Sequence, residues 1–221
     1  MTESDHALTA RNRRELSQLS VGKTEKWPRT SRRADRVAAV LSKRQPDLTV
    51  VLENVHDPHN VSAVLRSCDA VGILEIHAVY SEEERPPSFA RTTSASAAKW
   101  ITVHSHDTLA GCYAALRAQR FAILATAVED RSVDIYDQDL TQPVAIVFGN
   151  EQRGLSPEAI DGADILVRIP MLGMVESLNI SVACAVTLYE AMRQRRLAGA
   201  YDAPKIPDGL RIPMSEEWLK R

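Results

Sequence analysis

Three blocks of this sequence set polar side chains on turns in a way that could do chemistry. The first runs Glu53-Asn54-Val55-His56-Asp57-Pro58-His59-Asn60 and continues Val61-Ser62-Ala63-Val64-Leu65-Arg66. Asn60 stands at the expected start of a helix, where an Asn side chain either caps backbone N–H groups or reaches a ligand. Arg66 follows among Val64, Leu65 and Ala70. A guanidinium buried there needs a partner, so a structural ion pair or a phosphate contact is expected. Six residues span about 1.7 helical turns, so Asn60 and Arg66 do not stack on one face. The second block, Gly149-Asn150-Glu151-Gln152-Arg153-Gly154, follows the apolar Ile146-Val147-Phe148. Its two glycines suit a backbone that approaches a ligand closely, and equally an ordinary strand-to-helix turn. No Gly-Lys-Ser/Thr follows it, and no GxGxxG occurs anywhere in the chain, which excludes the common nucleotide-binding loops. The third block, Ile169-Pro170-Met171-Leu172-Gly173-Met174, leads to Ser177-Leu178-Asn179 and carries no charge before Glu176. A Met-rich turn of this kind suits a flat purine read by backbone amides. It could equally be a core loop, with Ser177 capping the next helix.

Regular elements must hold these blocks. Strand signals fall at residues 49–53, 73–80, 100–104, 121–127, 144–149 and 165–169. Helical periodicity falls between them, at residues 60–71, 108–119, 157–161 and 177–196, after a first helix that begins at Ser31 and ends before Pro46. Gly72 is placed to stop the second helix, and Ser156 ahead of Pro157 to start a later one. Residues 81–96 and 200–221 read as irregular, the latter with a terminal helical turn. Alternating strands and helices predict an α/β protein with a parallel sheet covered on both faces. Such sheets bind ligands at the carboxyl ends of their strands, which is where the three blocks fall. The expected organisation is a basic extension and helix over 1–46, an α/β domain over 47–199 and a tail over 200–221.

Hydrophobic residues make up 44% of the chain and aromatics 5%, so aliphatic packing must form the core. A formal net charge of −2 argues against nucleic-acid binding, but the average hides an asymmetry. Residues 11–44 carry eleven Lys and Arg, Arg11, Arg13, Arg14, Arg32 and Arg33 among them, against three acidic residues. That is an electrostatic footprint for a polyphosphate. Cys68, Cys112 and Cys184 are far apart in apolar helical patterns and show neither metal spacing nor a disulfide framework. His56 and His59 have HxxH spacing without an acidic or Cys ligand beside them, so no metal is expected. With no apolar leader and no run of 18 apolar residues, a cytoplasmic protein without membrane contact is expected.

In order and spacing the blocks resemble the three motifs of the SPOUT methyltransferases, and within them the TrmH (SpoU) family of RNA ribose 2′-O-methyltransferases. The resemblance runs from about Ser31 to Tyr201. It implies a SPOUT α/β-knot, whose C-terminal segment threads a loop to form a deep trefoil knot; the periodicity alone shows no knot. It implies a homodimer joined through the knotted region, and S-adenosylmethionine as methyl donor. Arg66 would act on the ribose 2′-hydroxyl with help from an RNA phosphate, as base or as electrostatic stabiliser. Asn60, Glu151, Ser177 and Asn179 would complete the catalytic set. Gly149, Glu151 and Gly154 would border the donor pocket, with Thr126, Ile169, Met171 and Leu178 contacting the donor. Lys99, Arg193 and Arg195 would join the basic arm in holding RNA. Arg44-Gln45-Pro46-Asp47-Leu48-Thr49-Val50 and Gln194-Arg195 are typical of relatives that methylate a guanosine of tRNA. That makes guanosine 18 of the D-loop the expected substrate, with rRNA or another tRNA position as the alternative. A non-catalytic RNA-binding module is a further reading, against which the retained glycine loops and Ser177-Asn179 argue. A flavodoxin-like phosphate module would need a Ser/Thr-rich first turn, which Asp57-Pro58-His59 does not offer.

Overall fold

A computed structural model describes residues 31–80 and 97–221, and Arg33–Arg221 form one compact unit. Arg11, Arg13 and Arg14 of the expected RNA-binding arm lie outside the described residues. The strands are β1 (Leu48–Glu53), β2 (Glu75–Val79), β3 (Thr102–His106), β4 (Ala122–Thr126), β5 (Val133–Asp134), β6 (Val144–Phe148) and β7 (Ile165–Arg168). They form one seven-stranded sheet in the order β3-β2-β1-β6-β4-β7-β5, and every pair is parallel. Every residue of β1 and β6 is buried. Central strands of a parallel sheet are covered on both faces, so they read as continuous apolar runs.

The helices are α1 (Ser31–Leu41), α2 (Pro58–Val71), α3 (Leu109–Ala118), α4 (Pro157–Gly162), α5 (Ile180–Leu197) and α6 (Asp208–Lys220). Successive strand side chains point to opposite faces, which gives the sheet two cores. Val50 and Leu52 pack with Leu65 and Cys68 of α2 and Cys184 and Leu188 of α5. Val51 and Val147 pack on the other side with Leu109, Cys112 and Leu116 of α3 and Ala159 of α4. Gly72 ends α2 at φ 92°, and a Cβ there would stand 2.6 Å from the Lys43 carbonyl oxygen. Only glycine meets both demands without strain.

Three local readings are corrected. Asp57, not Asn60, caps α2: its side chain accepts from the His59 N–H at 2.8 Å, with Pro58 in the first turn. This leaves the Asn60 amide available for tertiary contacts. Asn179, not Ser177, caps α5 by accepting from the Ser181 N–H at 2.9 Å. The tail read as irregular contains α6, which runs through Pro213. Its Trp218 is buried against Val37, Leu41 and Trp100, so tertiary packing overrides the local proline penalty. Among the described residues, no helix is long and apolar enough to cross a membrane.

Candidate active site

The loops after β1, β6 and β7 carry the three sequence blocks and meet on one side of the sheet. Asn60, 9% exposed in the first turn of α2, joins them. Its Nδ2 donates to Glu151 Oε1 at 2.8 Å, and its Oδ1 accepts from Asn179 Nδ2 at 3.1 Å. Asn179 Oδ1 in turn accepts from both the N–H and the hydroxyl of Ser181. One amide thus fixes a carboxylate from the second block and an amide from the third, across 91 and 119 residues of sequence.

The loop after β6 is braced from β1. Glu53, 2% exposed, accepts from the Ser156 N–H at 3.0 Å and from its hydroxyl at 2.6 Å. Asn150 Nδ2 donates to the Asn54 carbonyl at 2.8 Å, while Asn150 Oδ1 accepts from the Gln152 N–H. The loop closes on itself through paired backbone bonds between Asn150 and Gly154. A Cβ on Gly149 would fall 2.3 Å from Gly154 backbone atoms, and Gly154 adopts φ +69°. The two glycines therefore close the loop. Gly149 leaves room for Gly154.

A cleft of about 860 Å³ opens over the carboxyl ends of β4, β6 and β7, within the range of about 300–1,000 Å³ usual for small-molecule sites. Its apolar lining includes Phe148, Val167, Ile169, Met171 and Leu178. Its charged lining is Glu129, Glu151, Glu176, Arg153 and Arg168. Thr126 stands at the mouth of β4, its hydroxyl donating to the Val147 carbonyl at 2.8 Å.

The model of the SpoU rRNA methylase family matches residues 47–189, which hold all three loops. This chain belongs to the SpoU methylase family. It is 47% identical over 193 residues to a tRNA (guanosine(18)-2′-O)-methyltransferase of Thermus thermophilus, covering 87% of this chain and 98% of the relative. The TrmH/SpoU tRNA modifying enzyme of A. aeolicus superposes with a TM-score of 0.79 at 36% identity, covering 86% of this chain and 95% of that one. The AdoMet-bound rRNA methyltransferase of Sinorhizobium meliloti superposes with a TM-score of 0.58 at 31% identity, over 71% of this chain and 59% of that one.

In this SpoU-family chain the expected residues fall into distinct places. Thr126, Gly149, Glu151, Ile169, Met171, Ser177, Leu178 and Asn179 all line the cleft. Asn60 does not line it but holds two residues that do. Arg66 was expected to be buried; it is exposed on α2, outside the cleft lining. It sits about 9 Å further along the helix axis than Asn60. Arg32, Lys99 and Arg193 are exposed and Arg33 is half-buried, with Arg193 bound to Glu190 at 2.8 Å.

Arg195, expected on the RNA face, is fully buried. Its guanidinium donates to the carbonyls of Leu140, Asp47 and Gln142, to Gln45 Oε1 and to Asp47 Oδ1. All five N–H groups of an arginine are then spent inside the protein, leaving none for a phosphate. The sequence reading missed the Glu53–Ser156 and Asn54–Asn150 braces, and also Glu129 and Arg168 in the cleft. The position of Glu129 and Arg168 at or just past strand carboxyl ends was the available signal.

Proposed function

We propose that this protein transfers the methyl group of S-adenosylmethionine to the ribose 2′-hydroxyl of guanosine 18 in tRNA. The chain Glu151–Asn60–Asn179 beside the cleft carries this reading, and the 47% identity to a tRNA (guanosine(18)-2′-O)-methyltransferase supports the substrate. The residues present suit the donor. Three carboxylates against two guanidinium groups line the cleft, an excess that favours a cation. Phe148, Val167 and Ile169 offer an apolar surface to a purine ring. Bound S-adenosylmethionine supplies a methyl group on a cationic sulfonium, an electrophile ready for in-line attack.

The protein's part is to position and to stabilise charge. Asn60 locks Glu151 and Asn179 in place, so little reorganisation is needed when the ribose arrives. A sugar hydroxyl is a poor nucleophile at neutral pH. Arg66, a permanent cation, stabilises the oxygen as its proton leaves, with an RNA phosphate as proton acceptor. Because Arg66 lies outside its own cleft, this reading has it serve the cleft of a second subunit. The protein then works as a homodimer formed through a knotted C-terminal region, in the cytoplasm. Residues 1–46 act as an RNA-holding extension to the methyltransferase domain at 47–199, with 200–221 as the tail. The basic arm, Arg32, Arg33, Lys99 and Arg193 hold the tRNA body by phosphate contacts that weaken with salt.

The test is methyl transfer from labelled donor to unmodified tRNA, with the modified nucleotide mapped. A 2′-O-methylguanosine at position 18 is expected. Labelling of rRNA alone would move the substrate, and no labelling of any RNA would overturn the reading. Arg66→Ala is expected to abolish transfer with donor affinity within about twofold, and unchanged turnover would remove Arg66 from the mechanism.

A further inference from the structure

At the sheet edge opposite β5, three side chains from three elements converge: His77 of β2, His106 of β3 and Cys112 of α3. One donor atom from each lies within 4.8 Å of the others, and His77 Nδ1 stands 2.9 Å from His106 Nε2. None of the three lines the cleft. The convergence follows from sheet register. His77 pairs with His104 and Val79 with His106, so all three imidazoles share the face that α3 covers.

The donor chemistry is specific. Two imidazoles and one thiol make a mixed nitrogen–sulfur set, the kind that binds Zn²⁺ and its neighbours rather than Mg²⁺ or Ca²⁺. Bond lengths of about 2.0–2.3 Å to a tetrahedral Zn²⁺ would space the donors roughly 3.3–3.8 Å apart, so only sub-ångström to ångström shifts are needed. His77 is 5% exposed. The His104 ring stacks on His77 at 5.1 Å, and its Nε2 lies 2.6 Å from Glu75 Oε2. His106, half-buried on the edge strand, gives an ion a way in.

We propose that His77, His106 and Cys112 form a binding site for a divalent transition metal of the Zn²⁺ class, with water in the remaining position. The ion ties the edge strands to α3. On binding, two metal–nitrogen bonds and one metal–sulfur bond form, the Cys112 S–H bond breaks, and its proton passes to solvent. Nothing is oxidised or reduced. Without metal, the same groups rest as a hydrogen-bonded imidazole pair beside a buried thiol.

Cobalt titration of the tag-free, chelator-stripped full chain tests this. One Co²⁺ per chain is expected, with a thiolate-to-cobalt charge-transfer band that Zn²⁺ displaces. Cys112→Ser should lose that band although Cys68 and Cys184 remain. His106→Ala, at a half-buried position that the fold tolerates more readily, should weaken Co²⁺ binding at least tenfold. Absence of stoichiometric binding by the wild-type chain overturns the proposal. So does a band that survives Cys112→Ser, or an affinity unchanged by His106→Ala.

Discussion

Asn60 is the residue on which the candidate site turns, because one planar amide donates to Glu151 and accepts from Asn179 at once. Alanine cannot do either, and the two freed partners would reorient. Asn60→Ala is expected to lower kcat about 10²-fold with donor affinity little changed. In a double-mutant cycle with Glu151→Ala the losses should be non-additive by about 1–3 kcal/mol, and additive losses would show that the contact does not matter. Arg195 makes the opposite case. Arg195→Ala would leave the Leu140, Asp47 and Gln142 carbonyls without their guanidinium donor and the Asp47 carboxylate with Lys205 alone. A stability loss of about 3–5 kcal/mol in denaturant unfolding is expected, since breaking a buried pair leaves uncompensated polar groups. RNA affinity, measured well below the unfolding midpoint, should not change.

Among the elements, α6 depends most on what it packs against. Pro213 removes one of its backbone bonds, and no side-chain cap starts it. Trp218 compensates. It is 4% exposed, lies 5.1 Å from the Trp100 ring, and has the Arg44 guanidinium over its face at 5.0 Å. Trp218→Ala should therefore cost about 3–5 kcal/mol and release α6 from α1. Amide exchange would report it: protection should fall in 208–220 first, and uniform loss across the sheet would contradict a local role. α2 and α5, by contrast, are visible from their sequences, because each carries its apolar face at helical spacing and its stop signal in place.

Asp47 acts at the scale of the whole molecule, because it binds the start of β1 to α5 and to the C-terminal segment. Arg195 Nη1 and Lys205 Nζ both donate to it, at 2.6 and 2.5 Å. Burial alone would raise its carboxyl, but the bonds from Lys205 and Arg195 outweigh burial and hold it below the usual carboxylate range. A carboxyl depressed in the folded state stabilises the fold above its unfolded value of about 3.9, and that contribution is lost as pH falls through the folded value. Asp47→Asn should therefore reduce stability at neutral pH and flatten the acid limb of the stability–pH curve below about pH 4. An acid limb identical to wild type would remove Asp47 from the linkage.

The sequence by itself determined the α/β class, the order of strands and helices from β1 to α5 apart from the two-residue β5, and the three loops, two of which line the cleft while the first reaches those two through Asn60. These depend on local signals: apolar runs long enough to be buried, glycines where the backbone needs them, and polar turns after strands. It did not determine which side chains in those loops touch. Asn60 looked like a helix cap because Asn is a good one, yet Asp57 and Pro58 had already started the helix. Arg195 was read as an RNA contact because it stands in a basic cluster with Arg193 and Arg196 at the end of α5, yet its partners at Gln45, Asp47, Leu140 and Gln142 lie 53 to 150 residues away in sequence. The spacing of His77, His106 and Cys112 carries no pattern, since parallel register and a covering helix bring them together. Contacts made across crossovers are properties of the folded sheet, and only the tertiary structure decides them.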